Sequence, residues 1–292
     1  MVHLLTSCSS SVIGLDSKVD PSSPPGVQPL ANYTPVGVTD WSLVVSEEFN
    51  HNPTILNEWL LRFHQGGIAW STRYPDWLAY LGAGNTLHTG NAGLPEQQYY
   101  AREGVSTADG ALRLTAQRLP IAPVLNPYNG FSGGFRYVSG QINSWPTHNQ
   151  LYGFFEARVK LPGGLCQWPA FWMFPEEWDP AQYHEIDMME CFEDDSITTF
   201  SSHEVGTTLP GLTPYGLGPV TSWHTYGVAW TATELIFFGD GVAGGAEGNV
   251  AAVPQIPMFP ILNLATRPQA TNADYPERMV MEVDYIRIWE AN

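Results

Sequence analysis

The segment YGFFEARVKLP (152–162) alternates along its length. Phe154, Glu156, Arg158 and Lys160 fall on one side of an extended chain; Phe155, Ala157, Val159 and Leu161 fall on the other. Period two marks a β-strand with one buried face. The wholly apolar set is expected to be core. The mixed polar and aromatic set is expected to line a surface that meets sugar. Working outward, WSLVVSEEFN, ALRLTAQRL (opened by Asp109-Gly110), YVSGQINSW, QWPAFWMFP, HEIDMMECF, SITTFSSHEV, WHTYGVAWT, ELIFFGDGV, FPILNLATR and VMEVDYIRIWE are further short apolar or alternating runs, each closed by a turn signal. Only NPTILNEWLLRF (52–63) has a helical look. Many short strands with almost no helical periodicity predict an all-β sandwich of two antiparallel sheets.

Composition narrows the function. The formal net charge is −17, and Lys18 and Lys160 are the only lysines. Such a chain repels a phosphate backbone, so nucleic acid is not an expected partner. The chain holds 11 Trp, 13 Tyr and 13 Phe, which suits a neutral, hydroxyl-rich ligand better. No apolar run reaches the ~18 residues a transmembrane helix needs. The three cysteines, Cys8, Cys166 and Cys191, fit neither a disulfide framework nor a zinc spacing. If 160–172 and 185–191 are strands, Cys166 shares a face with Trp168, Cys191 lies opposite Glu190, and no bridge joins them. Residues 1–39 have the Ser/Pro-rich composition of a leader or linker. Leu5-Thr6-Ser7-Cys8 resembles a lipobox, in which Cys8 would be lipidated in a longer precursor. The globular domain is expected over 40–292.

The chemistry is concentrated in HEIDMMECFE (184–193). Glu185 and Asp187 share a strand face, but Glu190 is out of phase with them. A β-bulge at Met188-Met189 would restore the phase and turn all three acids one way. Two carboxyl groups about 5–5.5 Å apart across a glycosidic bond support hydrolysis through a covalent intermediate. A third acid between them helps to split their pKa values, leaving one protonated as the acid. A solvated acidic strand or a calcium site is the competing reading. In QWPAFWMFP, Trp168, Ala170 and Trp172 share a face, and two tryptophans two positions apart form a platform about 7 Å long on which sugar rings can stack.

These residues carry a family resemblance. EIDMME resembles the E-[ILV]-D-x-x-E signature of glycoside hydrolase family 16 in its bulged laminarinase, agarase and carrageenase form. SEEFN (46–50), DGALRLTA (109–116), SGQINS (139–144), YGFFEARVKLP (152–162), WPAFWMFP (168–175), WHTYGVAW (223–230), FPILNLA (259–265) and VDYIRIWE (283–290) follow in that family's order. The resemblance covers about residues 40–290. It implies a β-jelly roll with a substrate cleft on its concave sheet. Glu185 is then the nucleophile, Glu190 the general acid/base and Asp187 the assisting acid. Trp168, Trp172, His203 and Asn263 match substrate-binding positions. Asp284 matches the aspartate of a structural calcium found in many members; catalysis itself needs no cofactor.

Two tracts depart from the laminarinase pattern: TRPQATNADYPE (266–277) replaces a Gly-Gly pair, and CFEDDSITTF (191–200) lacks the common Gly turn. Both put the sugar specificity in doubt. The expectation is an endo-acting retaining β-glycosidase on a polysaccharide, with a β-1,3-containing glucan favoured. A β-agarase or other β-galactanase, a transglycosylase and a non-catalytic carbohydrate-binding jelly roll are the alternatives. A polymeric substrate implies an extracellular or cell-surface protein, and a monomer is the default expectation.

Overall fold

The computed structural model describes residues 29, 31, 37–64, 67–73, 96–120, 135–177, 184–192, 197–204, 207–247, 253–267 and 274–292. Two sheets account for nearly all of its regular structure. The first runs, in spatial order, through Thr207–Pro214, Thr199–Glu204, His184–Glu190, Gln167–Pro175, Met258–Thr266, Gln141–Asn143, Trp70–Ser71, Leu60–Arg62 and Thr54–Ile55. The second runs through Val242–Glu247, Leu235–Gly239, His224–Trp230, Gly153–Lys160, Arg278–Ala291, Ala111–Arg118, Tyr137–Ser139 and Gln98–Tyr100, with Trp41–Glu47 paired to Arg278–Ala291 and Val105–Ala108 to Ala111–Arg118. Between them lies one apolar core. It takes Phe155, Ala157 and Val159 from one sheet and Phe171, Met173, Ile186, Leu262 and Leu264 from the other. This is the expected jelly-roll sandwich. One detail differs: Gln98–Tyr100 pairs with Tyr137–Ser139 in parallel.

Turn chemistry works as the sequence suggests at Asp109-Gly110, and a second Asp-Gly pair divides the run ELIFFGDGV between Leu235–Gly239 and Val242–Glu247. Asp109-Gly110 and Asp240-Gly241 each place two successive residues at positive φ (55° and 75°; 48° and 77°), the geometry of a two-residue hairpin. NPTILNEWLLRF is not a helix. Thr54–Ile55 pairs antiparallel with Leu60–Arg62. The Asn57 side chain accepts hydrogen bonds from the amides of Trp59 (2.9 Å) and Leu60 (2.8 Å), and this local turn defeats the helical periodicity. YVSGQINSW is also not one strand. Tyr137–Ser139 belongs to one sheet and Gln141–Asn143 to the other. The crossing is at Gly140, where a Cβ would lie 2.1 Å from the carbonyl oxygen of Gly104, so the backbones approach too closely for any side chain.

The mixed face of YGFFEARVKLP is corrected as well. Gly153–Lys160 lies on the sheet that does not carry the acidic strand, and its polar face points away from the core. Phe154 is buried there in a second small cluster with Trp41, Ile236, Phe238 and Trp289. Glu156 accepts a hydrogen bond from the Tyr285 hydroxyl at 2.9 Å. This face is packed and ion-paired rather than sugar-lined. Cys166 does not share a face with Trp168. It precedes the strand at a φ of 71°, after Gly163 and Gly164, which are also at positive φ. Alternation does not extend through such a turn, and Cys166 is buried in the core. Cys166 and Cys191 are both free thiols. Cys8 and most of the 1–39 segment lie outside the described residues.

Candidate active site

The acidic strand His184–Glu190 is held between Gln167–Pro175 and Thr199–Glu204. Its register shows the bulge directly. Against Thr199–Glu204, Asp187 faces Ser201 and Glu190 faces Thr199, so Met188 and Met189 together oppose one residue. Against the other neighbour, Phe171 faces Met189 while Trp172 already faces Asp187. Ile186, Met188, Met189 and Cys191 are all fully buried in the core. Two consecutive inward methionines absorb the extra residue, and Glu190 returns to the face of Glu185 and Asp187. The Met188 carbonyl, displaced from the ladder, accepts a hydrogen bond from the Tyr215 hydroxyl at 2.5 Å. Tyr215 is itself packed on Phe200 and Tyr226.

Each acid has a distinct environment. Asp187, only 2% exposed, receives the Ser201 hydroxyl at 2.7 Å and lies 3.0 Å from Nε2 of His203. Ser201 and His203 are also 3.1 Å apart. Glu190, 9% exposed, accepts the indole N–H of Trp168 at 2.9 Å. Burial holds the Glu190 carboxyl well above the usual carboxylate range, and the charge of Asp187 pushes the same way. The Trp168 hydrogen bond opposes this, Glu185 adds to it, and His203 opposes it. Burial disfavours the His203 imidazolium. The hydrogen bond and charge of Asp187, joined by Glu185 and Glu190, outweigh that cost and lift its pKa to about 9. Glu185 sits opposite His203 in register and is partly exposed.

Trp168 and Trp172 do share a face, but they are not equivalent. Trp172 is 8% exposed and donates its indole N–H to Asn263 at 2.6 Å. Trp168 keeps more of its ring accessible. Asn263 in turn donates to the Tyr100 hydroxyl at 3.0 Å, which also receives Gln98 at 3.2 Å. The structure thus brings Glu185, Asp187, Glu190, Trp168, Trp172, His203 and Asn263 onto one sheet face. It adds Ser201, Tyr100 and Gln98, which the sequence reading missed. Ser201 was reachable in principle, being two positions from His203 on the same strand. Tyr100 and Gln98 come from the other sheet's edge and carry no local signal.

Asp284 is elsewhere, on the outer face of the second sheet. Its carboxylate pairs with Arg158 at 2.6 Å. Near the acids, Glu185, Asp187 and His203 could offer ligand atoms within 4.8 Å of one another. Two carboxylates and an imidazole suit a transition metal better than calcium, which takes six or more oxygens.

The arrangement can therefore present one acid held protonated, a second close to a cationic imidazole, and an aromatic surface beside both. Comparison with known proteins places the whole chain rather than its individual residues. Over 213 residues the chain is 30% identical to endo-1,3-1,4-beta-glycanase ExsH of Rhizobium meliloti (strain 1021), covering 66% of this chain and 43% of that protein. It is 30% identical over 165 residues to endo-1,3-1,4-beta-glycanase EglC of the same organism, covering 55% and 33%. The chain therefore spans less than half the length of these two curated relatives. The catalytic domain of an endo-1,3-beta-glucanase (laminarinase) from Thermotoga petrophila RKU-1 superposes with a TM-score of 0.65 at 23% identity, covering 87% of this chain and 100% of that one; at that identity the likeness concerns the fold. The profile of Glycosyl hydrolases family 16 matches residues 96–292, which include the whole bulged acidic strand, and the chain belongs to that family.

Proposed function

We propose that this protein is an endo-acting retaining β-glycosidase that hydrolyses a β-1,3-containing glucan by double displacement. The observation that carries the reading is the bulge at Met188-Met189, which brings Glu190 onto the face of Glu185 and Asp187. Glu185 attacks the anomeric carbon as a carboxylate. Glu190, kept protonated by burial and by the Asp187 charge, gives its proton to the departing glycosidic oxygen. Water then breaks the glycosyl ester, and Glu190, now ionised, takes the water's proton. Asp187 is fixed by Ser201 and His203, so it shapes the field at both steps without leaving its place. Trp168 has a double role, stacking sugar on its ring and steadying Glu190 through its N–H. The relatives named endo-1,3-1,4-beta-glycanases support endo action on a β-1,3-containing chain, and a further relative, 28% identical, is named beta-glucanase.

A reducing-sugar assay over laminarin, lichenan, agarose, carrageenan and xyloglucan tests the substrate. Release from laminarin or lichenan, but not from agarose, is expected; release from agarose alone would replace the glucan reading by a galactanase one. Proton NMR of the first product should show the retained β-anomer. Polymer of this size is met outside the cell, so we propose a secreted or surface location; a cell fractionation that finds the protein only in the cytoplasm would refute it. A monomer is proposed for solution, and light scattering checks it. The calcium expected at Asp284 gains no support from its surroundings, since Arg158 already neutralises that carboxylate. Chelation by EDTA is therefore expected to leave the Tm unchanged.

A further inference from the structure

We infer that Arg267, laid across Trp168 and Phe192 beside the acid Glu190, forms a subsite for an anionic substituent on the polysaccharide. Arg267 extends the Met258–Thr266 strand by one rung, its amide donating to the Cys166 carbonyl at 2.8 Å. Asn263 faces Ala170 and Ala265 faces Trp168 in register, so Arg267, two further on, falls on the same sheet face. Its guanidinium carbon lies 5.3 Å from the Phe192 ring centroid and 5.9 Å from that of Trp168. The two rings are 5.3 Å apart and tilted by 39°. Trp168 is the residue whose indole reaches Glu190. Arg267 is partly exposed at this edge.

Arg267 differs from the ion-paired arginines of the second sheet. Arg113, Arg158 and Arg287 each bind a carboxylate. Among the described residues, none pairs with Arg267. A guanidinium stacked on aromatic rings keeps its in-plane N–H groups available for a planar or tetrahedral anion. The ionised acid on the same face repels an anionic substrate, and Arg267 supplies a local cation against that field. One such cation suits a sparsely substituted chain rather than a heavily sulfated one. Arg267 also stands where the sequence departs from the laminarinase pattern.

This inference rests on the glycosidase reading, and two arms separate them. The first compares kcat/KM on neutral laminarin and on laminarin carrying sparse carboxymethyl or sulfate groups. The wild type should favour a substituted polymer. Arg267→Met, which keeps length over the rings, should lower the charged-to-neutral ratio by about tenfold, as expected for a lost charge-assisted hydrogen bond. Arg267→Lys should restore part of it. Whichever of the two anions shows the larger ratio identifies the substituent. The second arm needs no turnover. Glu185→Gln and Glu185→Gln/Arg267→Met proteins are run by affinity electrophoresis in gels containing the same polymers. Arg267→Met should abolish the extra retardation by the charged polymer. If the ratio and the retardation are unchanged, or if neutral and charged substrates lose equally, Arg267 is only a cap on Trp168 and the inference is overturned. If no laminarin is cleaved, the glucan reading fails, and the second arm still decides the anion site.

Discussion

Glu282 and Glu190 both project from the outer faces of strands in this sandwich, yet their surroundings push their acidities in opposite directions. Glu282 accepts Lys160 at 2.9 Å and Arg113 at 3.3 Å, and the Lys160 hydrogen bond, helped by both cationic charges, holds its pKa below the usual range despite partial burial. Beside it Arg158 meets Asp284, and Arg287 clasps Glu48 with two hydrogen bonds at 2.7 and 2.9 Å. Around Asp187 and Glu190, by contrast, the donors are a hydroxyl, an imidazole and an indole. One sheet neutralises its acids with permanent cations, which favours the ionised form. The other gathers acids whose hydrogen bonds come from no arginine or lysine, which favours a protonated carboxyl at Glu190. The first arrangement serves the surface; the second can move a proton.

The comparison can be broken at several points, and the largest effect is expected at the nucleophile. Glu185→Ala should lower kcat by about four orders of magnitude with the fold intact, as for loss of a covalent catalytic group. Added azide should restore turnover with inverted product. Substantial residual activity without azide would remove Glu185 from that role.

Next comes the bulge. Tyr215→Phe leaves the buried Met188 carbonyl without its hydroxyl donor and should cost about 1–3 kcal/mol in a urea titration. A neutral result would mean that the bulge does not depend on Tyr215.

The raised pKa of Glu190 gives a signed pH effect. A carboxyl bound more tightly to its proton in the folded state adds stability that is complete only below its ordinary value of 4.5, and loses it as pH rises toward the folded value. Glu190→Gln should therefore lose activity but gain Tm relative to the wild type as pH rises above 4.5 toward neutrality. Trp168→Phe removes a donor that favours the carboxylate, so the alkaline limb of kcat/KM should move to higher pH. Movement to lower pH would contradict the place assigned to that hydrogen bond.

The smallest effect is expected on the other sheet. Arg158→Met breaks a half-exposed ion pair and should cost about 1 kcal/mol or less, with kcat unchanged. Folding would have to depend on the paired face far more than proposed for that variant to be severely destabilised.

Much of the site was legible before any coordinates. The out-of-phase Glu190 required a bulge, and Met188-Met189 is where it lies, because side chains on a strand have a fixed period and the core tolerates two adjacent methionines. The Trp168–Ala170–Trp172 face followed from the same rule. Other parts were hidden for identifiable reasons. Asn57 converts a helical pattern into a hairpin through side-chain hydrogen bonds that periodicity does not register. Gly140 passes the chain from one sheet to the other through a close approach to Gly104, which no local pattern encodes. Ser201, Tyr100, Gln98 and Tyr215 act through partners distant in the chain. The lipobox-like Cys8 falls outside the described residues.

The sequence alone determined which residues share a face: period two makes Glu185, Asp187 and, after one extra residue, Glu190 neighbours. It also determined the hairpin at Asp109-Gly110, where positive φ closes the turn. Tertiary structure decided which sheet each face belongs to, and therefore what it meets. The polar rungs of Gly153–Lys160 alternate as plainly as those of His184–Glu190, but they found Tyr285, Asp284 and Glu282 across their own sheet. Alternation is a property of one strand, whereas a pKa is set by every group packed around it. Only the packed sheets could make one set of charges structural and the other reactive.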